Sequence, residues 1–387
     1  MTTTDAADLK APFPYFGGKS RIASRVWRLL GDDLDNYIEP FAGSLAVLLA
    51  RPSLRGVETT NDRNCYLANF WRSVALSPEA TAEHADWPVS EVDLHARHQF
   101  LVLSDEGVAF RERMRADPLY HDPRIAGWWV WGISQWIGGG WCSYDDEPSR
   151  PPQRRSIISG DNPGSHGKGV HARGQSRQVP HLAGNSDCSG RGVHRKGSRP
   201  QLGDAYDVGR GVCGKKAAQT CQERRAWLTD WFRRLQDRLR LVRVCCGDWS
   251  RVCSSDSVTT RLGSCGVYLD PPYPLVRKDG SRSRAGNLYQ SDEAQAEKTP
   301  EEIRDEVLAW CVAWGRRPGV RVVVSGYESD GYELLVERHG WREEAWTASG
   351  GYGNRTEEGK SNARRERLWC SPGCRFEPGL FDGLEVS

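Results

Sequence analysis

Gly266-Val-Tyr-Leu-Asp-Pro-Pro-Tyr273 is the stretch that decides the fold: a short apolar run continues directly into an acid, two prolines and an aromatic ring. Proline cannot donate to a ladder, so the run reads as a buried strand that stops at Asp270. The same grammar recurs upstream. A helix-like stretch at 20–30 precedes a short strand at 36–38, a helix-like run at 45–50, a strand at 56–60 and a helical stretch at 64–74. Downstream, residues 241–245 read as a strand, Pro300–Trp314 as a helix and 320–324 as another buried strand. Strands that alternate with helices predict an α/β chain built on a largely parallel, doubly wound sheet.

The middle of the chain reads differently. Residues 77–120 are mixed and helical, and 127–143 carry Trp128, Trp129, Trp131, Trp136 and Trp141, interrupted by the triple glycine 138–140. These rings serve either as core and inter-lobe packing or as a base-stacking platform. From about 145 to 220 apolar periodicity disappears and Gly, Ser, Arg and Pro dominate, as in loops and hairpins. Three related phrases stand there: Gly167-Lys-Gly-Val-His-Ala-Arg173, Gly190-Arg-Gly-Val-His-Arg-Lys196 and Gly209-Arg-Gly-Val-Cys-Gly-Lys215. Their offsets of 23 and 19 residues make a degenerate short repeat, not a solenoid. A helix at 222–239 follows, with Trp227, Trp231, Leu235 and Leu239 at four-residue intervals on one face. Arg224, Arg225, Arg233, Arg234 and Arg238 share that helix, as a solvated face or as one that tracks phosphates.

Bulk composition narrows the function classes. Fifty-three basic against 51 acidic residues leave a net charge of +2, so no overall field selects a polyanion and any nucleic-acid surface has to be local. Apolar residues make up 38%, in runs far too short to span a bilayer, which predicts a protein of the cytoplasm with no membrane partner. Residues 1–10 lack a secretory pattern, so the twelve cysteines are expected as free thiols in a reducing compartment. No two CxxC pairs stand at zinc-ribbon spacing. His171, His181, Cys188, His194, Cys213 and Cys221 are too unevenly spaced to make a convincing zinc set, and no metal is expected.

Asp270-Pro-Pro-Tyr273 puts a carboxylate, a proline-fixed carbonyl and a ring at the carboxyl edge of a parallel sheet, where ligands bind. An amine conjugated to a purine ring is a poor nucleophile because its lone pair is delocalised. Hydrogen bonds from that amine to a carboxylate and to a backbone carbonyl would localise it, and Asp270 and Pro271 offer both acceptors. Pro272 stiffens the turn and Tyr273 would stack on a base; alternatively Asp270 merely caps a turn. Glu39-Pro-Phe-Ala-Gly43-Ser44 lies between a strand and a helix, where Gly43 permits close backbone approach. Asp62 ends the second strand 19 residues later, where a carboxylate meets ribose hydroxyls or caps the next helix. Tyr15-Phe16-Gly17-Gly18-Lys19 joins a ring, two glycines and a cation before a helix, a pattern that suits a carboxylate or phosphate and equally a capped surface helix.

In kind and order these pieces resemble the Dam-like family of N6-adenine DNA methyltransferases. The matching residues are Phe16-Gly-Gly-Lys19, Glu39-Pro-Phe-Ala-Gly43, Asn61-Asp62, Asp270-Pro-Pro-Tyr273 and the later strand at 322–326. The resemblance implies a Rossmann-like methyltransferase sheet, mixed but mostly parallel, with a helical and loop-rich target-recognition insertion. It implies a cofactor-binding part at 10–76, a target-recognition insertion at 77–221 containing the Gly/Arg-rich repeats of 145–221, a catalytic part at 222–375 and a tail at 376–387. S-adenosylmethionine would meet Tyr15, Phe16, Gly17, Gly18 and Lys19, with Glu39, Pro40, Phe41 and Gly43 along its methionine side and Asp62 on its ribose. Asp270, Pro271, Pro272 and Tyr273 would receive an adenine rotated out of duplex DNA. Arg173, Arg191, Arg195, Lys196, Arg210 and Lys215 would contact phosphates or guanine edges. A monomer or weak dimer is expected. The sequence departs from the family pattern at Leu45, where a second glycine is common. Cytosine-N4 or RNA methylation would use the same acceptors, and a catalytically dead DNA-binding decoy is the rival from another class. Cytosine-C5 chemistry is disfavoured because no proline precedes a cysteine.

Overall fold

The computed structural model describes residues 9–15, 18–136, 141–142, 212, 221–273, 298–328, 330–346 and 366–376. The described elements run α1 (Ala23–Leu30), β1 (Asn36–Glu39), α2 (Ala46–Leu49), β2 (Val57–Asp62), α3 (Cys65–Leu76), α4 (Pro78–Ala85), α5 (Glu91–Leu103), α6 (Asp105–Ala116), α7 (Pro123–Ile133), α8 (Cys221–Leu239), β3 (Val242–Cys246), β4 (Cys265–Leu269), α9 (Pro300–Trp314), β5 (Val320–Tyr327), α10 (Glu333–His339), β6 (Arg342–Ala345) and β7 (Glu366–Cys370). The strands form one seven-stranded sheet in the order β3-β2-β1-β4-β5-β7-β6. β3, β2, β1, β4 and β5 are parallel, and β7 runs antiparallel between β5 and β6. This is the mixed, mostly parallel Rossmann-like sheet anticipated above, with its order reversing between β1 and β4.

Side chains alternate across the sheet and build a core on each face. Tyr37, Tyr268, Val323 and Leu368 join one cluster, against α1, α3, α7 and α8. Ile38, Val267, Leu269, Val322, Val324 and Trp369 join the other, against α9 and α10. β4 is buried along its whole length, as a central parallel strand must be. Local chemistry sets the helix starts. Asn64 accepts from the Tyr66 and Leu67 amides to open α3, and Asp122 with Pro123 opens α7. Thr299 and Glu302 form a reciprocal capping box over Pro300 to open α9.

Trp129, Trp131 and Trp141 of the tryptophan run are core, while Trp128 and Trp136 are half-buried. Trp129 and Trp131 are buried on α7, and a Cβ at Gly132 would fall 1.8 Å from the Trp141 ring, so this glycine exists to let that ring in. The stripe of α8 is as expected at Leu235 and Leu239, both fully buried, but its first half is set one residue along, with Leu228 and Phe232 fully buried and Trp227 and Trp231 half-buried on the flank. Four-residue spacing cannot distinguish adjacent helix rows; packing against α3 and α4 does. Four of the arginines of α8 are held in ion pairs, although Arg225 and Arg233 remain exposed to solvent. Arg224 and Arg225 pair with Asp86, Arg233 with Glu79, and the buried Arg238 with Glu58 at 2.6 Å. Arg51 holds the other side of Glu58 at 2.9 Å, which locks α8 to β2 through a buried triad.

The antiparallel β6–β7 end was not legible in the sequence, and β5 extends to Tyr327, beyond the expected 324. The nine cysteines among the described residues are free, as expected. Among the described residues no helix is long and apolar enough to cross a membrane. The repeats of 145–220, the triple glycine, the six histidine and cysteine candidates for zinc and the 277–294 loop lie outside the described residues, apart from Val212 and the backbone of Cys221.

Candidate active site

The loops after β1, β2 and β3 are tied together at the carboxyl edge by one amide. Asn61 donates through Nδ2 to the carbonyls of Pro40 and Gly247, both at 3.0 Å, while the Ala42 amide donates back to the Asn61 carbonyl at 2.9 Å. Asp62 continues the network: its carboxylate accepts from the Gly43 amide at 3.0 Å and the Asn64 amide at 2.9 Å. Burial pushes the Asp62 carboxyl above its ordinary range, against the pull of those amides. The cap of α3 is therefore Asn64, which leaves Asp62 free of that duty.

Gly43 and Leu45 both adopt the left-handed region, with φ of 48° and 54°. A Cβ at Gly43 would sit 2.8 Å from the Tyr15 ring, so the glycine is required by close approach as well as by backbone angle. Leu45 occupies the position where the resembling family often has glycine. Its conformation costs roughly 1–2 kcal/mol. Complete burial of its side chain contributes roughly 1.5–3 kcal/mol, enough to offset it. The chain thus holds a left-handed turn at Leu45 without a glycine there.

Glu39 is drawn inward. Its carboxylate accepts from Tyr37 Oη and the Leu48 amide, both at 3.1 Å, and only 2% of the residue is exposed. Burial pushes its pKa up to about 8, against those two hydrogen bonds. Phe41 stacks on Trp249 with ring centroids 5.7 Å apart, and Pro40 is buried behind it.

Beside this edge stands a compact ionic cluster. Lys19 Nζ lies 2.9 Å from Asp270 Oδ1 and donates to Tyr273 Oη at 3.1 Å, although Lys19 is only 6% exposed. Tyr273 Oη in turn reaches Asp270 Oδ1 at 3.5 Å. Burial raises the Asp270 carboxyl above its ordinary range, and Lys19 and Tyr273 oppose the rise. Pro271 is buried and Pro272 half-buried. The Tyr273 ring packs on Tyr327 at 4.6 Å. Chemically, the arrangement is a fixed carboxylate beside aromatic walls, suited to accept a hydrogen bond from an amine on a flat ring.

Sequence reasoning thus selected Lys19, Asp270 and Tyr273, which meet here, and Gly43 with Asp62, which meet at the adjoining loops; Tyr15 packs on Gly43 and Gly18 lies exposed beside it. Phe16 and Gly17 lie outside the described residues, as do Arg173, Arg191, Arg195, Lys196, Arg210 and Lys215. It missed four residues. Asp248 follows β3 and is held by Ser250 and by Lys298 at 3.3 Å; burial raises its carboxyl, but those partners outweigh burial and leave it lowered. Trp249 backs Phe41, and Tyr327 and Glu366 end the paired strands β5 and β7 at the Tyr273 side. An acid directly after a strand was the available signal for Asp248; Glu366 gave none, because its strand was not legible.

No curated protein sequence matches the chain. Residues 15–118 match the model of the D12 class N6 adenine-specific DNA methyltransferase family, a span that includes Lys19, Gly43 and Asp62 and ends before Asp270. Through residues 15–118, about a quarter of the chain, and on a sheet of the fitting architecture, the chain is similar to the D12 class N6 adenine-specific DNA methyltransferase family.

Proposed function

We propose that the loops after β1, β2 and β3 hold S-adenosylmethionine and that the Asp270 turn receives an adenine extruded from duplex DNA. The observation that carries this reading is the contact of Lys19, Asp270 and Tyr273 at the sheet edge beside the Gly43–Asp62 network. The donor set fits the cofactor: half-buried Asp62 offers a carboxylate to a diol, Phe41 an aromatic face, and left-handed Gly43 a backbone that a ligand can approach closely. Tyr15, Phe16, Gly17, Gly18 and Lys19 would contact the cofactor, with Phe41 and Gly43 along its methionine side. Glu39 and Pro40 would act from behind, by holding the loop. S-adenosylmethionine supplies a methyl group on a sulfonium. Asp270 and the Pro271 carbonyl accept from the adenine amine and localise its lone pair, Pro272 keeps the turn rigid, and Tyr273 stacks on the base. Lys19 keeps Asp270 ionised. The proton lost from the methylated amine leaves through this acceptor set.

The stretch at 77–221 would read DNA, with the basic residues of its repeats on phosphates, and the protein would act as a monomer or weak dimer. Incubation of purified protein with labelled S-adenosylmethionine and plasmid DNA, followed by nucleoside analysis, tests the reading. N6-methyladenine is expected. N4-methylcytosine would move the activity to the other exocyclic amine, label confined to RNA would move it to that polymer, and absence of both cofactor binding and transfer would leave a DNA-binding decoy.

A further inference from the structure

Glu366 is a second carboxylate in the electrostatic environment of Lys19. Glu366 opens β7 and lies directly opposite Tyr327 across the antiparallel β5–β7 ladder, so the two side chains leave the sheet on the same face. Tyr327 packs its ring on Tyr273, which brings Glu366 to the same end of the same face as the Asp270 turn. Its neighbour Arg367 points to the opposite face, where it pairs with Glu328 and Glu343, and so does not neutralise it.

We propose that Glu366 is a positioning residue for methyl transfer: ionised, it competes with Asp270 for Lys19 and so frees the Asp270 carboxylate to accept from the adenine amine. This rests on the function proposed above. The reason lies in the resting geometry. Asp270 Oδ1 is engaged by Lys19 Nζ at 2.9 Å and approached by Tyr273 Oη at 3.5 Å, so an incoming amine would compete with an ammonium for the acceptor it needs. Removing Lys19 outright would be worse, because a buried, unpaired Asp270 would take up a proton. A second anion on the same face, in the field of the same ammonium, resolves the conflict. It lets Lys19 loosen from Asp270 while the cluster stays neutralised. The charged and titratable groups that act on Glu366 are Lys19 before α1, Asp270 on the turn and Tyr268 on β4, while Tyr327 on β5 lies opposite it and carries the contact to Tyr273. Burial pushes the Glu366 carboxyl up to about 7, with Lys19 opposing and Asp270 adding, which places the exchange near neutrality.

The test uses full-length protein, tritiated S-adenosylmethionine and plasmid DNA. Cofactor affinity is measured first by calorimetry on the wild type, whose failure to bind or transfer would sink the proposed function and not the role of Glu366. Wild-type kcat is expected to rise through about pH 7. Glu366→Gln is expected to abolish that limb and to lower kcat at pH 8 by about tenfold, a loss of transition-state rather than ground-state stabilisation, with cofactor Kd unchanged within about threefold. Glu366→Asp, which retains the charge, should keep the limb and recover part of kcat. Infrared pH-difference spectra give a readout apart from turnover: the wild type should show a carboxyl that titrates at about pH 7 beside that of Glu39 at about pH 8, and Glu366→Gln should lose only the former. A wild-type limb and kcat in Glu366→Gln, or an unchanged infrared titration, overturns the proposal. So does a Glu366→Asp variant as impaired as Glu366→Gln at every pH, because that marks a purely structural residue.

Discussion

Lys19 and Asp270 define each other. With Lys19 only 6% exposed and its nitrogen 2.9 Å from the Asp270 carboxylate, neither charge is tolerable without the other. Asp270→Ala should lower kcat by at least ~100-fold, the usual order for removal of an electrostatic contact made in the transition state, while calorimetry shows S-adenosylmethionine binding largely retained. An unchanged turnover would remove Asp270 from the mechanism. Lys19→Met should lose turnover as well, for the opposite reason. The acid stays in place but protonates, so raising the pH should restore part of the activity in Lys19→Met and none in Asp270→Ala. The signs differ because one substitution deletes the acceptor and the other only its charge. At this scale the sequence was informative: Asp270, Tyr273 and Lys19 were each marked by local chemistry. That they touch, across 254 positions between Lys19 and Tyr273, was not.

At the scale of elements, the turn from β1 into α2 is where backbone and site are one object. Gly43→Ala forces an alanine into φ of 48° and drives its Cβ to 2.8 Å from the Tyr15 ring. Roughly 1 kcal/mol of backbone cost together with the clash should lower Tm by several degrees and weaken cofactor binding by about tenfold, read by differential scanning fluorimetry and calorimetry. Gly18→Ala is the natural comparison, since its Cβ would meet the Tyr15 carbonyl at 3.3 Å and Ser44 Oγ at 4.0 Å, without a left-handed backbone. Its stability loss should be much the smaller of the two, and equal losses would refute the strain argument. The elements themselves were legible to different degrees. The parallel strands were readable because each is a short buried run closed by polar or proline residues. The β6–β7 end was not, because Arg342-Glu-Glu-Ala345 has no apolar face and becomes a strand only by pairing with β7.

At the scale of the molecule, two properties follow from charge. Glu39 folds with its pKa raised to about 8 from an ordinary 4.5, so its neutral form is the one the core accommodates. Its contribution to stability is complete below pH 4.5 and is lost as the pH rises through about 8. Wild-type Tm should therefore fall between pH 5 and 8 by more than that of Glu39→Gln, in which nothing ionises at that position; parallel curves for the two proteins would contradict the assignment. The second property is salt dependence. If the six basic residues Arg173, Arg191, Arg195, Lys196, Arg210 and Lys215 contact phosphates, replacing them with glutamine should reduce the slope of log K against log salt by up to about 5 in anisotropy titrations with duplex DNA. An unchanged slope would move the DNA surface elsewhere.

What the sequence determined by itself was the alternation of strands and helices and the residue types at the carboxyl ends of β1, β2 and β4, because these depend on periodicity and on chemistry confined to a few neighbouring positions. Only the tertiary structure decided that Glu366 shares Lys19's environment, that Glu39 turns into the core, and that the arginines of α8 close on Asp86, Glu79 and Glu58. Each of those is a meeting of side chains distant in the chain, set by which strands pair and which helix row is buried, and no local pattern encodes it.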